Sequence, residues 1–124
     1  MISCIPRLRR LAVTLVVLAV ASGASTSMSA NAGTVLITGA NRGIGLEFVR
    51  HYADAGYTVI ATARNPSTAD DLNSLAAANK SIHVEELDVN DFAEIDGLAE
   101  KYQGTAIDVL VNNAGITGRP ERQR

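Results

Sequence analysis

From Thr34 onward, apolar positions alternate between short β-branched runs and longer stretches at helical spacing. Thr34-Val35-Leu36-Ile37 reads as a first strand. Between Gly43 and Ala55, Ile44, Phe48, Val49 and Tyr52 recur on one side of a predicted helix. Glu47 and Asp54 should face water, and Gly56 stops the helix just past its end. Tyr57 to Ala63 predicts a second strand buried on both faces. Asn65-Pro66 breaks that run. Ser67 or Thr68 is then the candidate cap of a second helix, with Asp70 and Asp71 in its first turn and Leu72, Leu75 and Ala76 inside. Ser81 to Leu87 is a third strand. Its Glu85-Glu86 pair interrupts the apolar pattern, which suits an edge position. Neighbours on a strand point to opposite faces, so this pair is not read as catalytic. Asp91 and Glu94 have capping-box spacing ahead of a third helix, with Phe92, Ile95, Leu98, Ala99 and Tyr102 on its buried face and Gly104 at its end. Ala106 to Val111 is the fourth strand.

Strands alternating with helices across short loops predict an α/β fold: a parallel sheet with right-handed crossovers. The expected strand order is 3-2-1-4, the N-terminal half of a doubly wound, Rossmann-like sheet. Residues 33–116 would form this domain, after a leader over 1–32 and before a tail over 117–124. The tail has no apolar periodicity and is expected to be disordered.

The chain has 124 residues, 47% of them hydrophobic, enough for one domain. Its net charge of −2 conceals an asymmetry. Arg7, Arg9 and Arg10 lie in an acid-free leader, leaving 8 basic against 13 acidic groups in the rest, a net −5. A mildly acidic body without a basic cluster argues against nucleic acid as a partner. Cys4 is the only cysteine, which excludes a disulfide framework or a Cys-based metal site. His51 and His83 are too isolated to predict zinc, so no metal is expected.

In the leader, the three arginines precede an apolar run from Leu11 to Ala21, small residues, and Ala30-Asn31-Ala32 as an A-x-A cleavage site. That order is a secretory signal peptide and predicts export to the periplasm. The run is about half of the ~20 residues a membrane span needs, so no permanent span is expected. Arg9-Arg10 partly matches the twin-arginine route. The alternative is a true start at Met28 and a cytoplasmic protein.

The candidate chemistry centres on Thr38-Gly39-Ala40-Asn41-Arg42-Gly43-Ile44-Gly45, between the first strand and the first helix. A strand, a glycine turn and a helix start aim free backbone N–H groups at a phosphate. The spacing G-x-x-x-G-x-G is neither the G-x-G-x-x-G fingerprint nor a P-loop. It resembles the N-terminal signature T-G-x-x-x-G-x-G of the short-chain dehydrogenase/reductase family. The resemblance runs from about Thr34 to Ile116, and Thr38–Glu47 and Val59–Pro66 look most like the small NADPH-dependent carbonyl-reductase-like and C-factor-like members.

At the end of the second strand, Thr62-Ala63-Arg64-Asn65 holds no carboxylate. An acid there would hold a ribose 2′-OH, whereas a basic group accommodates a 2′-phosphate. Arg64, with Arg42 from the glycine loop, is therefore the candidate clamp, and NADP(H) is preferred over NAD(H). Asp88 follows the third strand on the ligand side of the sheet; the resemblance implies that it binds the adenine amino group, with the backbone of Val89 assisting. Asn112-Asn113-Ala114-Gly115 follows the fourth strand and matches the family's second signature. That implies a role in supporting the sheet and lining the nicotinamide-ribose region.

By resemblance, the function is that of an oxidoreductase moving hydride between nicotinamide and a carbonyl or alcohol substrate, homo-oligomeric at full length. Its proton donor would be a tyrosine with a lysine four residues on, which lowers the phenol's pKa. Tyr52, Tyr57 and Tyr102 have no such lysine, so no catalytic residue is assigned. The expectation is an N-terminal fragment of such an enzyme, without reductase activity itself; the alternative is an inactive nucleotide-binding module. A fourth strand left at the edge is expected to favour aggregation or a molten state, with cofactor binding weak or absent.

Overall fold

The computed structural model describes residues 30–115. The expected signal sequence through residue 29, the start at Met28, Ile116 and the 117–124 tail lie outside them. The elements are β1 (Thr34–Ile37), α1 (Gly43–Asp54), β2 (Thr58–Ala63), a 3₁₀ turn (Pro66–Thr68), α2 (Asp70–Ala78), β3 (Ile82–Glu86), α3 (Phe92–Lys101) and β4 (Val109–Val111). All strand pairs are parallel, in the order β3-β2-β1-β4. The expected fold and order are therefore observed.

The pleat divides the sheet into two faces. On one, Val35 and Ile37 of β1 align with Val59 and Ala61 of β2 and with Val109 and Val111 of β4. Leu46 and Val49 of α1 and Leu72 of α2 complete this core. On the other face Leu36 aligns with Ile60 and Leu110. Ile60 is fully buried there, whereas Leu110 at the end of the sheet is 65% exposed.

Three helical expectations need correcting. The inner stripe of α1 is Gly45, Leu46 and Val49, with Tyr52 packed against the core, so Val49 and Tyr52 fall as predicted; Ile44, 71% exposed, and Phe48, at the surface, do not. The cause is Gly45. A Cβ there would collide with the Gly39 carbonyl oxygen, so helix and loop are in backbone contact and that contact fixes the helix rotation. Neither Ser67 nor Thr68 caps α2. Pro66 opens a 3₁₀ turn in which both hydroxyls bond to Asn65, and the N-cap position falls to Ala69. The predicted face of α3 is largely uncovered: Phe92 is 80% exposed, Ile95 and Ala99 are exposed, and only Leu98 and Tyr102 are half-buried.

Polar contacts hold α3 instead. At its end, Lys101 Nζ lies 2.6 and 2.7 Å from the two carboxylate oxygens of Glu85, and the Tyr102 hydroxyl donates to the same carboxylate at 2.6 Å. Burial pushes the Glu85 carboxyl up, but the hydrogen bonds from Lys101 and Tyr102 outweigh it and hold it below the ordinary range. Burial and the same carboxylate push the Tyr102 phenol up. Glu85 turns inward and Glu86 outward, and β3 is an edge strand as expected. β4 is shorter than the predicted run because Asp108 interrupts it: its Oδ2 accepts the Thr34 N–H at 2.7 Å, a bond strand carbonyls otherwise make.

Candidate functional site

The loops after the four strands converge on one open cleft of about 600 Å³ at the C-terminal edge of the sheet. This is where parallel α/β sheets place ligands. Of the predicted site residues, Gly39, Asn41, Arg42, Gly43, Ile44, Arg64, Asp88, Val89, Asn113, Ala114 and Gly115 line it.

Thr38, Gly45 and Asn112 do not line the cleft; they shape it from behind. The Thr38 hydroxyl accepts the N–H groups of Asn113 and Ala114, each at 3.0 Å, and lies 3.4 Å from Asn112 Oδ1. The Asn113 side-chain amide donates to the carbonyls of Thr38 at 3.2 Å and Gly39 at 3.0 Å. Glycine loop and N-N-A-G segment are thus sewn together by the side chains of Thr38 and Asn113. Gly39, at φ 66°, lies so close to Ala114 that a Cβ would stand 3.0 Å from its Cα. A Cβ on Gly45 would also stand 2.7 Å from Asn113 Nδ2.

These contacts aim the start of α1 into the cleft. The helix has no side-chain cap and no acid in its first turn. Its opening N–H groups are therefore free for an anion, and the helix dipole favours negative charge there. Arg42, at its N-cap position, and Arg64, just past β2, both line the cleft and are exposed. Neither has a salt-bridge partner among the described residues. The cleft therefore offers two cations and a helix start to a polyanion.

Its other end is built differently. Asp88 Oδ1 accepts the backbone N–H of Asn90 at 2.9 Å and the Asn90 amide at 3.1 Å, a side-chain-closed turn. That leaves Oδ2 without a partner among the described residues. The Leu87 N–H donates to Ala63, and the Asp91 N–H to the Asp88 carbonyl. The Val89 N–H has no partner among the described residues. One free acceptor and one free donor thus stand on adjacent residues.

Asn65, Thr68, Leu87 and Asn90 also line the cleft and were not predicted. The signal available for Asn90 was the Asp-Val-Asn spacing of a turn; the others adjoin predicted positions without chemistry that marks them. Among the described residues, no group of three or more His, Cys, Asp or Glu is placed to hold a metal, and no helix is long and apolar enough to cross a membrane.

A family model described as short chain dehydrogenase matches residues 33–124. The chain is 41% identical over 90 residues to (+)-neomenthol dehydrogenase of Arabidopsis thaliana, covering 67% of this chain and 30% of that protein. It is 38% identical over 90 residues to (-)-isopiperitenone reductase of Mentha piperita, covering 67% and 29%. Among solved structures, a carbonyl reductase from Pseudomonas aeruginosa PAO1 in complex with NADP superposes with a TM-score of 0.67 at 35% identity, over 71% of this chain and 40% of that one. The chain thus spans about a third of the length of these curated relatives.

Proposed function

The chain belongs to the short-chain dehydrogenase family, and on that premise we propose that it is the NADP(H)-holding part of an oxidoreductase acting on a carbonyl or alcohol substrate. The observation that carries this reading is Arg42 and Arg64 facing one cleft beside an uncapped helix start, with no acid after β2. Those groups fit a 2′-phosphate and a pyrophosphate. Asp88 Oδ2 and the Val89 N–H fit the amino group and ring nitrogen on the edge of adenine. The small Ala114 and Gly115 leave room against the backbone where the nicotinamide ribose would lie. When bound, the cofactor supplies the hydride; the residues of this chain bind and orient it.

The relatives' names and the NADP in the carbonyl reductase structure support this reading. Substrate and a homo-oligomeric assembly at full length belong to the same proposal. Against the weakened binding expected of the sequence, Thr38 and Asn113 already assemble the cleft in this chain, so the 124-residue chain is expected to bind nucleotide; it should not reduce, because Tyr52, Tyr57 and Tyr102 have no lysine at +4.

Thermal melts of the 124-residue chain with NADP⁺ and NAD⁺ test the reading. At a hundred times its dissociation constant NADP⁺ should add about 2.7 kcal/mol of stability. NAD⁺ at the same concentration should add clearly less, and NADPH should not be consumed with carbonyl substrates. Equal shifts for both nucleotides would overturn the NADP assignment, and no shift for either would overturn the cofactor role.

Export through the leader is also proposed, with a mature N-terminus near Gly33 and cytoplasmic residence from Met28 as the alternative. The two N-termini differ in what they keep. Asn31 Oδ1 accepts the N–H groups of Gly33 and Thr58 at 3.1 and 3.3 Å, its amide donates to Thr58 Oγ1 at 3.1 Å, and Ala32 N–H donates to the Gly56 carbonyl at 3.1 Å. These exposed bonds together contribute about 1 kcal/mol, so the chain starting at Gly33 should melt about 4–8 °C below the one starting at Met28. Mass spectrometry of protein from its host decides which form exists.

A further inference from the structure

Glu94 stands in the place of a capping-box glutamate, yet it does not close the box. Asp91 does its half, its Oδ1 accepting from Ala93 N at 2.9 Å and Glu94 N at 3.3 Å. The reciprocal bond should run from the Asp91 N–H to the Glu94 carboxylate. Instead the Asp91 N–H donates to the Asp88 carbonyl, and Glu94 Oε2 reaches past it to accept the Asp88 N–H at 2.6 Å.

That one bond ties the backbone of the cleft-lining Asp88 to α3. Between β3 and α3, the N–H groups of Leu87, Asp88, Asn90 and Asp91 all have acceptors, leaving Val89. Without Glu94, Asp88 would lose the acceptor of its N–H. It would also lose the contact that holds its backbone against α3. With Glu94, the loop shows an acceptor, Asp88 Oδ2, beside one donor, the Val89 N–H. Adenine presents the complement, an amino donor beside a ring-nitrogen acceptor. Hypoxanthine reverses both groups, presenting a carbonyl acceptor and an N–H donor.

We infer that Glu94 is a positioning residue that sets the base selectivity of the cleft: it fixes the Asp88-Val89 edge for adenine without touching the nucleotide. It lies outside the cleft lining, on the α3 side of the loop. The inference rests on the nucleotide reading proposed above.

Binding of adenosine 2′,5′-bisphosphate and inosine 2′,5′-bisphosphate to the 124-residue chain, by calorimetry, tests it. The quantity read is the ratio of the two dissociation constants. The unaltered chain should prefer the adenine compound, and Glu94→Ala should reduce that preference about tenfold, mainly by weakening the adenine compound. Glu94→Gln retains a carbonyl acceptor and should keep the ratio. Glu94→Asp, one methylene too short to reach, should lose it as alanine does, and serves if the alanine variant fails to fold. Asp91→Ala removes the side-chain cap of α3 and should lower the melting temperature with the ratio unchanged. Equal weakening of both compounds by Glu94→Ala, or a ratio that Asp91→Ala moves as far, would overturn the inference and leave the nucleotide reading standing. Failure of the unaltered chain to bind either compound would overturn both.

Discussion

Gly45→Ala is expected to destabilise the domain by about 3 kcal/mol, lowering its melting temperature by about 12–24 °C, and to abolish binding of NADP⁺. The added methyl meets the Gly39 carbonyl oxygen and, at 2.7 Å, the Asn113 amide nitrogen. Neither can step aside cheaply. The carbonyl is main chain in a turn held at φ 66°, and Asn113 is tied to two carbonyls. Relief requires α1 to move off β1, which opens the core at Leu46 and Val49 and swings the helix start away from the cleft. Gly43→Ala is the control. Gly43 also has a positive φ, 58°, but a Cβ there meets open space, so only backbone strain of about 1–2 kcal/mol is expected. Calorimetric melts of both variants distinguish a collision from general intolerance of the loop, and equal losses would refute the packing argument.

Arg64→Asp is expected to reverse the nucleotide preference. A charge-assisted contact between the guanidinium and a 2′-phosphate contributes about 1.5–3 kcal/mol, or roughly 10- to 150-fold in affinity. The aspartate removes that contact, repels the phosphate and supplies an acceptor for a ribose 2′-OH. The ratio of the NADP⁺ and NAD⁺ dissociation constants should therefore move by about a hundredfold or more at low salt. Because Arg64 is exposed, the change should shrink as salt is raised. Arg42→Ala should move the ratio less, since it removes a cation without adding the acid. An unchanged ratio in Arg64→Asp would remove Arg64 from the clamp.

Sequence legibility followed the distance over which each residue's role is decided. Strand identities and order were readable because β-branched runs and short loops impose them locally. The glycine loop and Arg64 were readable because both directly adjoin strand ends. The full rotation of α1 was not: Val49 and Tyr52 pack inward as predicted, but the backbone contact between Gly45 and Gly39 leaves Ile44 and Phe48 exposed. Nor was the exposed face of α3, where Phe92 and Ile95 have the right spacing but no element against them among the described residues. Pattern identifies an apolar face and says nothing of what covers it. At Asp91 and Glu94 the capping-box letters predicted the cap. Glu94's real partner, six positions upstream, depends on how the preceding loop folds back.

The Thr38–Asn113 stitches also set an order of events. They join groups 75 residues apart, whereas α1 and α2 close over a few residues each. Bringing such distant segments together is entropically costly and slow compared with local helix closure. The first β-α-β unit can form while the glycine loop still lacks the amide donors and the hydroxyl partners that shape it. Among the described residues, the cleft is therefore expected to mature last. During synthesis, a nascent chain has the signature residues of its glycine loop long before it has the cleft. That cleft comes into being only when Asn113 and Ala114 have left the ribosome and paired with Thr38.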